Sequence, residues 1–362
     1  MYTLDRFDDQ IIIPSLKAHA GFPTDVQSAY LNAEEINLDS YDLIILALSG
    51  GKDSIACHLR MLDMGVDPKK IEFWHHDVDG NEGSELMDWP FMREYVRAYG
   101  EAFSVPVYFS WLKGGMEGEM LKDNAYSQPH IIETPDGILE LPRLTTRSQP
   151  SSRLMFPQQS ASLQTRWCSS SLKIDVGRRA ITNQDRLLGK KILFVTGERR
   201  LESSNRAKYN QLERHMNDCR NGKKARHVDV WRPVLNFTEE QVWELMEKHG
   251  VLAPVPYRLG WNRSSCMTCI FNSPAIWATI HAYWPERTIA IAQYEQRFGK
   301  TISRSKKDVI QIGNTAQAFT IEDELAFAQA SLKKYTLPVL ANKEHQWTIP
   351  KGAFSKEACG SV

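Results

Sequence analysis

Leu43-Ile44-Ile45-Leu46-Ala47-Leu48, followed by Ser49-Gly50-Gly51-Lys52-Asp53-Ser54, is the stretch whose reading decides the fold. A short apolar run ends in a glycine turn, and beyond it Ile55, Leu59, Leu62 and Met64 recur at helical spacing until Gly65 stands where a helix commonly ends. The pattern is strand, turn, helix. Two successive glycines permit positive φ and a close approach of ligand to main-chain N–H groups, while the helix that follows offers its first amides and positive dipole end to an anion. The ligand expected there is a phosphate. A Walker A loop is excluded, because Leu46 fills the place of its first glycine and Asp53 the place of its Mg²⁺-binding Ser or Thr.

The chain has 362 residues, enough for one large domain or two ordinary ones. Its hydrophobic fraction of 42% and aromatic fraction of 10% are those of a folded soluble protein. Lys plus Arg and Asp plus Glu both total 44, so no global positive field points to nucleic acid, and any such site must be local. No apolar stretch approaches the ~18 residues that a membrane helix needs. Residues 1–6 lack the basic-then-apolar layout of a signal peptide, so a cytoplasmic protein with no membrane partner is expected. Six cysteines, two of them as Cys266-Met267-Thr268-Cys269, suit metal or redox ligands in a reducing compartment better than a disulfide framework.

Working outward, residues 1–40 read as a mixed entry segment with a helix over 25–35. Residues 70–80 form a second strand whose polar end carries His75, His76, Asp77 and Asp79. In open parallel sheets ligands bind beyond that edge. A helix over 87–99 and a third strand over 105–109 follow. From 113 to 166 the alternation stops in a Gly, Ser, Pro and Gln-rich segment, with one hairpin candidate, 131–133 and 138–140, turned by Pro135-Asp136-Gly137. A substrate-covering lid is the expectation for so long an insertion. Arg166-Trp167-Cys168 opens another helix, residues 191–196 read as a buried fourth strand, and 228–232 as a further one. Thr238 and Gln241 form a capping box for a helix closed by Gly250, and 274–298 and 321–335 look helical.

The fourth strand runs into Gly197-Glu198-Arg199-Arg200, at the same edge as the glycine turn, with Arg206 close behind. Arginine forks suit bidentate contact with phosphate, so these three can neutralise a leaving group or hold a substrate phosphate. Between Arg199 and Arg232 ten basic residues face four acidic ones, the local basic patch that the overall balance conceals.

The six residues Ser49 to Ser54 match the PP-loop of the adenine-nucleotide α-hydrolase superfamily. With Arg166-Trp167-Cys168, the run from Thr196 to Arg206, Trp231-Arg232-Pro233 and Cys266-x-x-Cys269, the chain from 43 to 269 resembles the phosphoadenosine phosphosulfate reductase family. That family includes sulfonucleotide reductases, the small subunit of ATP sulfurylase, and the ATP pyrophosphatases of DNA phosphorothioation, the DndC and SspD kinds, which this chain is most similar to. The resemblance implies an α/β fold: a parallel-sheet PP-loop domain over 1–235 with the 113–166 lid, and a helical C-terminal region over 236–362 that carries the Cys-x-x-Cys pair.

It also implies an activity. ATP would be split to AMP and pyrophosphate with Mg²⁺, activating a phosphate oxygen by adenylation for sulfur incorporation, with DNA the expected substrate. A cysteine desulfurase as sulfur donor and other phosphorothioation proteins are the expected partners, and assembly as a homo-oligomer stays open. Lys52, Asp53, Arg199 and Arg200 are the expected catalytic residues. Ser49, Gly50, Gly51, Lys52, Asp53, Ser54, Asp77, Gly197 and Arg206 are expected to hold the nucleotide, with Lys173 and Arg166 as further candidates for the anionic pocket. Cys168, Cys266 and Cys269, with Cys219 as a fourth, are candidate ligands of a [4Fe-4S] cluster; a zinc site, a redox disulfide and simple packing are the other readings. The end, Glu357-Ala358-Cys359-Gly360-Ser361-Val362, keeps the Cys-Gly of the sulfonucleotide reductase tail but lacks its histidine. Reduction of a sulfonucleotide with Cys359 as nucleophile, sulfurylase-like chemistry, and a nucleotide-sensing scaffold are the alternatives.

Overall fold

The structure, a computed structural model, describes residues 30–160 and 162–355. Eight strands, β1 Leu43–Ala47, β2 Ile71–His76, β3 Val107–Leu112, β4 His130–Thr134, β5 Gly137–Leu141, β6 Lys191–Val195, β7 Leu212–Arg214 and β8 His227–Trp231, form one sheet in the order β5-β4-β3-β2-β1-β6-β8-β7. The five central strands pair in parallel, and antiparallel strands close both ends. The fold is α/β. Because β1 lies between β2 and β6, the chain builds outward from it in opposite directions, and the crevice of such a switch point opens at the carboxyl end of β1.

The apolar run of β1 is continuous because both of its faces are covered, as parallel strands require. Ile44 and Leu46 join Phe73, Leu193 and Val195 in the larger core, while Leu43 and Ile45 join Trp74, Ile192, Phe194 and Val230 on the opposite face. Helices α1 (Lys52–Asp63) and α2 (Met92–Phe103) lie on the first side, and α3 (Asp175–Thr182) brings Ala180 and Ile181 to the second. Helix α4 (Glu239–Lys248) packs against α1, and α5 (Pro274–Tyr283) with α6 (Pro285–Phe298) leads the helical remainder. Trp89, in the loop after β2, meets Trp261 and Trp284 edge to face at 5.4 and 6.3 Å, which ties that remainder to the sheet.

Several expected elements shift for identifiable reasons. The helix expected at 87–99 begins only at Met92, because Asp79 spends its carboxylate on the N–H groups of Met87 (2.9 Å) and Asp88 (2.7 Å) and so fixes a loop there. The 274–298 helix is broken at Trp284 and Pro285, and only Glu324–Ala330 of the 321–335 stretch is helical, started by the Asp323 cap. Of the helix expected over 25–35, Tyr30 and Leu31 are helical, the chain leaves that state at Asn32, and 25–29 lie outside the described residues. The 113–166 segment contributes the expected hairpin, but β4 pairs with β3 and extends the sheet, and Gly137 turns it with φ +118°. No helix among the described residues is long and apolar enough to cross a membrane.

If the hairpin is part of the sheet and not a loose cover, its two faces must respond differently. Ile132→Ala, at 2% exposure, should cost about 2–4 kcal/mol in thermal or urea unfolding. Ile138→Ala, at 71% exposure, should stay within about 0.5 kcal/mol of wild type. Equal small effects would mean that the hairpin does not belong to the cooperative core.

Candidate active site

The glycine turn sits where the switch point opens. Gly50 takes φ +78°, and a Cβ there would stand 2.5 Å from the Met92 sulfur, so both its conformation and its neighbour demand glycine. Ser54 Oγ donates to the Gly51 carbonyl (2.8 Å) and accepts from the Ser49 N–H (3.2 Å), which closes the turn. Lys52, the first residue of α1, is 2% exposed. Its N–H donates to Tyr257 Oη (3.1 Å), and its Nζ lies 3.1 Å from Glu239 Oε1, 3.6 Å from Asp53 Oδ2 and 3.4 Å from the Asn262 carbonyl. Burial alone would discharge this ammonium, but Asp53, Tyr257 and Glu239 outweigh it and raise its pKa.

Arg199 completes the group. Its Nε is 2.5 Å from Asp53 Oδ1, and although burial favours the neutral acid, Lys52 and Arg199 hold the Asp53 carboxyl below its ordinary range. The contact exists because Gly197, just past β6, touches the first turn of α1: a Cβ there would meet Ser54 N at 2.6 Å and Asp53 C at 2.7 Å. Adjacent Arg200 points elsewhere. It donates to Asn236 Oδ1 (2.6 Å) and to the carbonyls of Ala207 (2.8 Å), Tyr209 (2.7 Å) and Leu31, contacts that tie loops together. Arg206 sits at the rim, paired with Glu202, which also lies 3.6 Å from Arg263. Glu239, Tyr257 and Asn262 carried no sequence signal; they reach Lys52 only through the packing of α4 and the segment after it.

The end of β2 forms the neighbouring wall. His75 Nδ1 lies 2.8 Å from the Leu48 carbonyl, which fastens this strand end to the entrance of the glycine turn. Asp77 pairs with Arg93 (3.1 Å), which also reaches Glu133 and stacks over Phe109 at 4.1 Å. His75, Asp77, Asp79, Asp88 and Arg93 line a cavity of about 250 Å³. His76 is turned from it and bonds Ser110 Oγ (2.8 Å).

The Cys-x-x-Cys turn is pinned onto this wall, since Trp89 Nε1 donates to the Ser265 carbonyl (3.0 Å) and Thr268 Oγ1 to the Leu86 carbonyl (2.8 Å). Cys168 arrives from the other side, directly before a π-helical turn, Ser170–Ile174, that carries Lys173. Desolvation by the cleft walls works against the solvent-exposed Lys173, yet Cys266, Cys168, Asp88 and Cys269 prevail and raise its pKa. Burial pushes the Cys168 and Cys266 thiols up as well. The cluster expectation finds no support here: among the described residues no group of three or more His, Cys, Asp or Glu side chains is arranged to hold a metal ion. The three cysteines gather around an ammonium instead. Cys219 hydrogen-bonds Arg226 just before β8, at the opposite end of the sheet, a strand length of about 16 Å away. Cys359 lies outside the described residues.

Asp79 gives this site a pH dependence. Burial raises its pKa to about 7. Between about pH 4 and 7 the folded carboxyl keeps a proton that the unfolded chain has lost, so stability falls as pH rises through that window and levels off above it, by up to about 4 kcal/mol. Asp79→Asn keeps an oxygen to accept the same two N–H groups and should flatten the difference in melting temperature between pH 5 and pH 8. Parallel profiles for the two proteins would count against it.

Residues 142–271 match the family model of the phosphoadenosine phosphosulfate reductase domain, a stretch that holds Cys168, Lys173, Arg199, Cys266 and Cys269 and begins beyond the glycine turn. An uncharacterized 37.8 kDa protein in the gpa 5' region of Escherichia phage 186 is 25% identical over 335 residues, 88% of this chain and 94% of that one. The FMN adenylyltransferase of Candida glabrata with FAD and inorganic pyrophosphate aligns over 96% of this chain and 93% of its own at 10% identity and a TM-score of 0.36. The same enzyme with FMN and the ATP analog AMPCPP aligns over equal shares at 10% identity and a TM-score of 0.35. The resemblance read from Arg166-Trp167-Cys168 onward is thus borne out: over 142–271 this chain is similar to the phosphoadenosine phosphosulfate reductase domain.

Proposed function

We propose that the chain is a PP-loop ATP pyrophosphatase that adenylates a phosphate oxygen of an acceptor for sulfur incorporation, with DNA phosphorothioation as its setting. The observation that carries this reading is the buried Lys52 ammonium at the head of α1, beside two glycines and within reach of Asp53, Arg199 and Glu239. An acceptor oxygen attacks the α-phosphorus of ATP, the bond to the β-phosphate oxygen breaks, and pyrophosphate departs against the amides of the glycine turn and the Lys52 charge. Such a step is accelerated by preorganised positive charge at the leaving oxygens. Asp53 and Glu239 are the carboxylates that fit a magnesium ion, which keeps most of its waters, needs only one or two protein carboxylates, and would screen the phosphate charge. A persulfide supplied through a cysteine desulfurase partner then attacks the acceptor phosphorus, AMP leaves with the acceptor oxygen, and a second thiol, as reductant, takes the carrier sulfur into a disulfide and frees the phosphorothioate. Arg199 keeps Asp53 ionised and aimed; Arg206 and Arg263 stand at the rim, where a polyanionic acceptor passes.

One observation favours a second reading, reduction of a sulfonucleotide: the thiols of Cys168, Cys266 and Cys269 share the cleft with Lys173. The two readings release different products. Wild type should release pyrophosphate from ATP and acceptor, and Lys52→Ala should do so about a hundredfold more slowly, the scale of losing one preorganised charge. Equal rates would remove the glycine turn from the mechanism. Sulfite from an activated sulfate nucleotide, without pyrophosphate from ATP, would decide for the reductase.

A further inference from the structure

A second cavity, of about 180 Å³, lies beyond the carboxyl end of β3 and is lined by Lys122, Arg143, Arg153, His130 and several serine hydroxyls. Its charge is one-sided. The single carboxylate in its lining, Asp175, is engaged by Arg178 at 3.0 Å. Lys122 and Arg153 are both held at 2.7 Å from Glu119 Oε1, a carboxylate that is 3% exposed, so two cations share one buried anion and keep a net positive charge in fixed positions. Arg153 is further locked by stacking over Trp167 at 4.3 Å. Arg143 forms no ion pair among the described residues; burial, with the charges of Arg179, Arg143 and Arg178 working against Asp175, depresses the pKa of His130. His130 is 3% exposed, and its Nε2 has no hydrogen-bond partner.

A buried ring nitrogen without a partner, beside cations that outnumber their acids, is costly unless something negative completes the group. The volume admits a phosphate and its waters. The place is specific too. Leu112, in the lining, ends β3, and Ser171, also in the lining, belongs to the π-helical turn that carries Lys173, so one turn separates this cavity from the thiol-lined cleft.

We propose that this cavity is a phosphate subsite, seating a phosphate of the acceptor across the 170–174 turn from Lys173. That the phosphate is the acceptor's rests on the adenylation reading above; that the cavity binds phosphate does not.

The test follows the His130 ring by NMR in the full chain, its signal assigned with His130→Gln, during titration with inorganic phosphate at low salt. Wild type should show a saturable shift, Arg143→Gln should need at least tenfold more phosphate, and Arg143→Glu should show none, with melting temperatures confirming that both variants fold. A static His130 signal in wild type, or the same titration in all three proteins, would overturn the subsite. A dinucleoside phosphodiester as second titrant separates the sources: a saturable shift supports a polymer acceptor, while a shift with inorganic phosphate alone overturns the acceptor assignment. If Lys52→Ala leaves pyrophosphate release unchanged while Arg143→Glu abolishes the His130 shift, the subsite stands and the adenylation reading falls.

Discussion

A single buried ammonium organises this molecule's working edge. Lys52 cannot stay charged at 2% exposure without partners, and it draws them from places far apart in the chain: Asp53 beside it, Glu239 from the start of α4, and the Asn262 carbonyl. Asp53 in turn holds Arg199 from the loop after β6. The result is an alternating row, Glu239, Lys52, Asp53, Arg199, in which each charge is stabilised by its neighbours, and in which losing any inner member would strand a buried charge at a cost of about 3–5 kcal/mol. The row also fixes distances, because Gly197 lets the β6 loop close onto α1 only as far as a missing side chain allows.

The row sums to zero, and that constrains what can bind. A polyphosphate arriving at the glycine turn adds several negative charges to a group already balanced. It must either displace Glu239 from Lys52 or bring cations with it. Arg263 is near enough to act on Asp53, and both it and Arg206 are shared with Glu202, so rim arginines can move inward only by leaving that carboxylate. A divalent cation, in the proposed reaction, removes the conflict. The row is thus self-neutralised.

Much of this was legible before any coordinates. The apolar run of β1, the paired glycines and the helical spacing after them fixed strand, turn and helix, since both faces of a central parallel strand are buried and leave no ambiguity of period. The caps at Thr238 and Asp323 act locally and so can be read locally, although the latter was not foreseen. What was not legible depends on tertiary packing. Arg199 and Arg200 are identical neighbours, and only the opposite directions of their side chains make one a partner of Asp53 and the other a brace for carbonyls. Glu239 reads as an ordinary acidic first-turn residue until α4 is laid against α1. Strand β7 has three residues, too few for a periodic signal.

The cysteines show the same limit in a different form. Spacing alone suggested a ligand set, yet spacing fixes only Cys266 and Cys269 on one turn; whether Cys168 and Cys219 join them depends on which edge of the sheet each segment reaches. Cys168 reaches the carboxyl edge because it precedes the α3 segment, while Cys219 is bound to Arg226 at the entrance of β8 and stays behind. Burial pushes the Cys168 and Cys266 thiols up in pKa, yet both, with Asp88, still favour the charged form of Lys173. Asp88 is the acid beside it, and burial raises that carboxyl's pKa as well. Lys173 sits one turn away from a cavity whose cations outnumber their acids. The glycine turn is balanced and needs help to accept phosphate, whereas the far side of the 170–174 turn is unbalanced and does not. In the proposed reaction that asymmetry puts the nucleotide, with its cation, on one side and a bare anionic group on the other.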